Sequence, residues 1–173
     1  MAELPAGVDL AKFVRKPPRP TATMTLTRDG PDGPEVLLGL RSETMAAFPG
    51  YWAFTGGGVS RVDGAAVESF SVLDIEHGKA IACILRETCE ELGVAPNGDH
   101  VISIDKGARF DVIKDKANWL PHAEDCNIPV NVDNIRILGH RITPPFGPIQ
   151  FDNAFIHFHL SLIHISEPTR PLE

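Results

Sequence analysis

Arg86-Glu87-Thr88-Cys89-Glu90-Glu91-Leu92-Gly93-Val94 is the stretch from which the rest of the chain is read. Three carboxylates fall within five residues, and the run stops on a glycine. On a helix, Glu87 stands one turn from both Glu90 and Glu91. Ile81, Leu85, Thr88 and Leu92 recur at helical spacing on another stripe. One face is therefore predicted to enter a core, and the face beside it to carry three negative charges. Like charges at this spacing destabilise a helix slightly. A bound divalent cation reverses the sign, because carboxylate oxygens are hard ligands suited to Mg²⁺ or Mn²⁺. Ala80 and Cys83, small and on the carboxylate side, are predicted to leave room for a ligand above the acids. The alternative for such a run is a solvated, charged helix end.

Composition narrows the classes. With 43% hydrophobic and 23% charged residues over 173 positions, the chain suits one globular domain with a sizeable core. Sixteen basic against 23 acidic residues give a net charge of −7, so no basic footprint argues for nucleic acid. A protein this acidic must meet any phosphate with local cations or with metal. No apolar run reaches the length of a membrane span, and the N-terminus has no signal-peptide pattern, so a cytoplasmic protein without a membrane partner is expected. Cys83 and Cys89, six apart on one predicted helix, fit reduced thiols better than a disulfide framework or a zinc site.

Residues 1–21, with Arg15-Lys16-Pro17-Pro18-Arg19-Pro20, read as a flexible arm. Ala22–Thr27 alternates and reads as a strand; turn chemistry from Asp29 to Pro34 joins it to a second strand, Glu35–Arg41. Gly56-Gly57-Gly58 follows the apolar Tyr51-Trp52-Ala53-Phe54 and permits close approach of backbone to a ligand. Asp63-Gly64, Ser69, Ser71 and His77-Gly78 read as a polar excursion. A helix is predicted over 78–92, with Gly93 as its C-cap and a loop over Val94–Gly98. A short strand at Val101–Ile104, a helix from Ala108 to about Trp119, and strands at Asn134–Thr143 and Phe151–Leu160 complete the pattern. His157 and His159 share one strand face and are read as partly exposed strand residues rather than a metal pair.

The acidic helix and the glycine triplet together resemble the Nudix hydrolase box, G-x5-E-x7-R-E-U-x-E-E-x-G-U, where U is bulky and apolar. Arg86, Glu87, Glu90, Glu91, Gly93 and Val94 match its second half, and Gly57 its opening. Thr88 stands where an apolar residue is usual. The run from Leu37 also resembles the signature of the coenzyme A diphosphatase branch, through Leu37, Leu38, Arg41, Ser42, Gly50, Phe54, Gly56 and Gly57. Gly39, Ala46 and Thr55 depart from it. From Gly57 to Arg86 the offset is 86 − 57 = 29, where the box has 14, so about fifteen residues are inserted. Counted eight back from Arg86, the first glutamate of the box falls on Gly78, with Glu76 the nearest acid. Such an insertion is similar to that of the acyl-CoA diphosphatase branch.

The resemblance implies an α/β fold, an α/β/α sandwich with a mixed sheet, over residues 22–160. It implies Mg²⁺ or Mn²⁺ held by Glu87, Glu90 and Glu91 with the Gly56 carbonyl as a further ligand. Glu87, Glu90 and Arg86 become the catalytic candidates, with Arg86 orienting an acid; which glutamate is the base stays open. Arg41, Ser42, Gly57 and Gly58 are the implied substrate-binding residues, and Asp125, Asp133 and Asp152 are candidates for one more ligand. The implied activity is hydrolysis of a nucleoside diphosphate linked to another moiety, coenzyme A or acyl-CoA first, NADH or ADP-ribose next. A non-catalytic nucleotide-binding or protein-interaction domain is the reading from another class. A homodimer is compatible with the family. Ser161–Glu173 resembles translated adapter sequence, so the native chain is expected to end near Leu160.

Overall fold

The structure, a computed structural model, describes residues 17–45, 49–67, 75–114, 132–144 and 150–160. The first sixteen residues of the arm, the tail 161–173, Ala46 and Asp125 lie outside the described residues.

A long strand, β1 (Arg19–Gly30), is the axis of the sheet. Its alternation sends Ala22, Met24 and Leu26 into the core and leaves Thr21, Thr23, Thr25 and Thr27 half-buried on the other face. Along one edge, β2 (Gly33–Val36) pairs antiparallel with the end of β1, and β5 (Thr55–Gly58) pairs antiparallel with its beginning. Along the other edge, β9 (Phe151–Leu160) runs parallel to β1, and β8 (Ile135–Ile142) lies antiparallel outside β9. The sheet is therefore mixed.

The second predicted strand is shorter than expected. After Leu37, whose N–H still donates to Leu26, the chain leaves β1. Gly39–Leu40 (β3) then pairs with Trp52–Ala53 (β4). Leu37 and Leu38 are exposed, so their apolar run has no core face to hold it in the main sheet.

Two helices frame the box. The polar excursion contains a short one, α1 (Arg61–Ala66). The acidic helix, α2 (Ile75–Leu92), begins three residues before the predicted start and ends as expected at Gly93, whose φ of 68° suits glycine. Val94–Gly98 is not a loop: Val94–Asn97 (β6) forms a hairpin with His100–Ser103 (β7), turning at Gly98. Helix α3 (Lys106–Lys114) covers the first part of the predicted 108–119 segment. Among the described residues, no helix is long and apolar enough to cross a membrane.

The core lies between α2 and the even-numbered face of β1 and β9. Met24, Ile84, Ile156 and Phe158 are its largest fully buried apolar side chains, each contributing about 1.5–3 kcal/mol of transfer free energy. Ile81, Leu85 and Thr88 are buried as predicted. Ala80 and Cys83, expected to leave ligand space, are buried too, because β5 crosses over them and the Cys83 thiol meets the Gly57 carbonyl at 3.7 Å. From Ala80 to Arg86 the helix is enclosed on every side.

Candidate active site

The site is assembled where β5, α1 and the last turns of α2 meet, and Arg86 is its centre. This side chain is 3% exposed yet carries a full charge. Its Nε donates to Asp63 Oδ1 at 2.9 Å and one terminal nitrogen to Asp63 Oδ2 at 3.1 Å. The other terminal nitrogen donates to Glu87 Oε1 at 2.9 Å and to Glu90 Oε1 at 3.1 Å. The Gly58 carbonyl accepts a further bond at 3.3 Å. Burial alone would lower the guanidinium pKa; the hydrogen bonds and charge of Asp63, with Glu87 and Glu90 behind it, outweigh burial and raise it.

Asp63 is the residue that backward counting missed. Six positions on from Gly57, past the five residues between, the first acid of the box falls on Asp63, an aspartate where the box has glutamate, and the insertion follows it. The forward count from the glycine was the available signal. Arg86 makes its bidentate pair with Asp63 rather than Glu87, so Asp63 takes the position that backward counting gives to Gly78. Helix α1 exists to present this side chain: Ser60 caps it, giving its N–H and hydroxyl to Asp63 Oδ2 at 2.8 and 3.0 Å. Both carboxylate oxygens are thus satisfied with no solvent exposure.

The three glutamates differ in their surroundings. Glu87 and Glu90 are drawn to Arg86, with side chains 14% and 9% exposed. Glu91 is more exposed and turns to the Gly56 N–H, 3.2 Å away. Desolvation of its carboxylate end and the charge of Glu87 raise its pKa, while the Gly56 N–H and Arg41 pull the other way. Among the described residues no three His, Cys, Asp or Glu side chains are grouped as around a metal ion, since Arg86 and Gly56 engage these acids separately. The donor chemistry nonetheless fits a hard dication: Asp63, Glu87 and Glu90 surround one buried guanidinium, and Glu91 stands one turn from Glu87 on the same helix. Cys83 Sγ lies 3.7 Å from the same guanidinium, and burial pushes its thiol pKa up, so it stays a neutral thiol.

The glycines make close approach possible. A Cβ on Gly56 would overlap the Ala22 carbonyl oxygen across the β1–β5 pairing, and one on Gly57 would overlap the Glu87 carboxylate. At the far end of α2, Arg109 of α3 donates to the Glu90 carbonyl at 3.0 and 2.8 Å and to the Glu91 carbonyl at 3.2 Å. It satisfies carbonyls the helix leaves open and places a cation at the negative end of the dipole. No local sequence signal marks this contact.

Beside the glycine loop opens a pocket of about 520 Å³ on the odd-numbered face of β1 and β9. Gly56, Gly57 and Arg41 form one side, and Arg141, Phe151 and Phe155 stand opposite. Of the other implied binding residues, Ser42 engages Thr44 within its own turn, and Gly58 gives its carbonyl to Arg86. Asp152 faces His140, 3.6 Å away, and Asp133 lies in the turn before β8. His157 and His159 share a face and both meet the Thr27 hydroxyl. The wall of Arg141, Asn153 and Phe155 could not be read from sequence, because only strand register brings it to the glycine loop.

Among solved structures, the chain is similar to a NUDIX hydrolase from Alicyclobacillus acidocaldarius: TM-score 0.73, 26% identity, covering 88% of this chain and 73% of that one. A MutT/nudix family protein from Enterococcus faecalis aligns at 19% identity over 98% of this chain and 44% of its own, with a TM-score of 0.49. The NUDIX domain of Shewanella oneidensis NrtR, solved with ADP ribose, aligns at 14% identity over 92% and 73%, with a TM-score of 0.47. Superpositions below 0.5 are too loose to add to the assignment. No family model matches the chain, and no curated protein does. The fold is that of the Nudix hydrolases.

Proposed function

We propose that this Nudix-fold chain is a divalent-metal-dependent diphosphatase that cleaves the pyrophosphate bond of a nucleoside diphosphate linked to another moiety, with coenzyme A or acyl-CoA as the substrate. One observation carries the reaction class: Asp63 and Arg86 hold Glu87 and Glu90 in place beside Glu91 and a glycine loop that opens into a pocket. Burying a guanidinium among carboxylates is costly unless every partner is placed, and here each is. A merely charged helix end needs no such arrangement.

Glu87, Glu90 and Glu91 are the side chains that would hold Mg²⁺ or Mn²⁺, with the Gly56 carbonyl as a further ligand. When bound, the cation supplies charge neutralisation on the diphosphate and a more acidic water. Arg86, fixed by Asp63, restricts the rotamers of Glu87 and Glu90. Glu87, beside Gly57 and at the edge of solvent, is placed to accept the proton of the attacking water. Arg41, in the pocket wall and near Glu91, meets the negative charge of the substrate.

The coenzyme A assignment rests on the match from Leu37 to Gly57, on the box insertion and on the location of Arg41 in the pocket. A box without its first acid would favour a non-catalytic domain; the Arg86–Asp63 pair speaks against that loss. The test is incubation of the full chain with Mg²⁺ or Mn²⁺ and coenzyme A, acetyl-CoA, NADH or ADP-ribose, with phosphate-monoester products followed chromatographically. Preferential cleavage of coenzyme A to adenosine 3′,5′-bisphosphate is the expected result. Preference for NADH or ADP-ribose would keep the reaction and discard the substrate.

A further inference from the structure

We infer that the pocket recognises a second anionic group, a phosphate monoester on the nucleoside half of the substrate, through Arg141 and the Asn153 amide. The inference rests on the diphosphatase reading for where the scissile bond lies, and on the strand register for everything else.

Four residues stand in one row across the sheet: Gly58 on β5, Thr21 on β1, Asn153 on β9 and Arg141 on β8. Directly paired residues project to the same face, so Thr21, Asn153 and Arg141 point together into the pocket. Three strand spacings of about 4.8 Å put the Arg141 backbone about 14 Å from the glycine loop. A diphosphate lying against that loop is too short to cover this span. A nucleoside attached to it covers the span and brings its far substituents to Arg141.

The chemistry at that end is built for an anion. Among the described residues the Arg141 guanidinium makes no hydrogen bond or ion pair, and no acidic side chain lines the pocket. In a chain of net charge −7, a wall with two arginines and no carboxylate is a local inversion of sign. A guanidinium with open donors matches a phosphate monoester in bidentate geometry. Beside it, Asn153 Oδ1 accepts hydrogen bonds from the Thr21 and Thr23 hydroxyls at 2.9 and 3.1 Å. The two threonines thereby set the amide so that its N–H₂, which has no partner among the described residues, is left for a ligand oxygen. Phe151 and Phe155 flank this pair and offer ring faces to a base. They read a π face rather than a base edge, so adenosine serves as the probe.

The test is calorimetric binding of adenosine 3′,5′-bisphosphate and of AMP to the full chain. The bisphosphate is expected to bind about tenfold more tightly or better, the worth of one charge-assisted contact. Arg141→Gln should bring the ratio of the two dissociation constants close to one, Arg141→Lys should restore part of it, and Asn153→Asp should weaken the bisphosphate more than AMP. Equal binding of the two nucleotides, no binding of either, or an unchanged ratio in Arg141→Gln overturns the inference and marks Arg141 as a solvated surface cation. Turnover separates this from the diphosphatase reading. Cleavage of coenzyme A and its 3′-dephospho form with equal kcat/KM keeps the reaction and rejects the second anion site. An Arg141-dependent binding preference without any turnover keeps the anion site and rejects the reaction.

Discussion

Arg86 and Asp63, 23 positions apart, form a two-bond ion pair with side-chain exposures of 3% and 0%. The pair joins α1 to α2 and closes the site from beneath. Removing one partner of a buried pair leaves the other charge uncompensated, at about 3–5 kcal/mol. Asp63→Ala is expected to lower the unfolding free energy by that amount, read as a lower denaturant midpoint at unchanged m-value. Asp63→Asn, which keeps the shape and loses the charge, should cost less in stability and still cut turnover, because Glu87 and Glu90 would then compete for a freed guanidinium. Urea titration and a turnover assay read the two effects separately.

Gly56 and Gly57 are neighbours with opposite expected failures. Alanine at Gly56 drives its Cβ into the Ala22 carbonyl oxygen, a backbone atom that cannot swing aside. A loss of about 1–3 kcal/mol in unfolding free energy follows, as for other overpacked sites. Alanine at Gly57 meets only the end of the Glu87 side chain, which can rotate. Gly57→Ala should keep most of its stability and lose activity, because Glu87 is displaced from Arg86. Unfolding midpoints and initial rates on both variants decide it; equal destabilisation of the two would contradict the assignment.

Much of this was legible from the chain. The helical spacing of Ile81, Leu85 and Thr88, the glycine stop at Gly93 and the alternation in 151–160 are local signals, and local physics makes those elements. The strand at Val94–Asn97 was missed because turn-forming Pro96 and Asn97 outvoted the pairing that His100–Ser103 provides. The split of the second strand was missed because Leu37 and Leu38 look like core and are exposed. Asp63 was within reach of a forward count from Gly57. Arg109 and the wall of Arg141 and Asn153 were not, since contacts set by strand register and helix packing leave no mark in nearby sequence.

The pH dependence of the metal-free fold should carry the mark of Glu91. Its pKa is raised above the ordinary 4.5, so the folded state binds the proton more tightly than the unfolded chain. Stability contributed by the protonated form is present below pH 4.5 and is lost as pH rises through the raised value. Glu91→Gln is therefore expected to unfold at a higher temperature than the wild type at neutral pH without metal, with the difference vanishing below the ordinary carboxyl range. The gain is small, because the residue is partly open to solvent. Adding Mg²⁺ should reverse the order, since the cation stabilises the form that binds it. Thermal scans from pH 4 to 8 check both signs.

Arg109 is expected to matter to the site although it touches no substrate. Arg109→Ala frees the Glu90 and Glu91 carbonyls and should cost about 1–2 kcal/mol, in line with other lost helix caps. Hydrogen exchange should then rise in the last turn of α2 before it rises in β1. Lysine, a cation without the fork, should restore only the dipole part.

The most direct test of the account is metal-dependent turnover of coenzyme A by the wild type and by a Glu90→Gln, Glu91→Gln double variant. The wild type is expected to release adenosine 3′,5′-bisphosphate with Mg²⁺ and to stop in excess chelator. The double variant should remain folded and lose on the order of a hundredfold or more of that rate, at least what removing a supporting ligand partner costs. A wild-type chain that folds and binds Mg²⁺ yet cleaves no diphosphate, or a double variant as active as the wild type, would contradict the account.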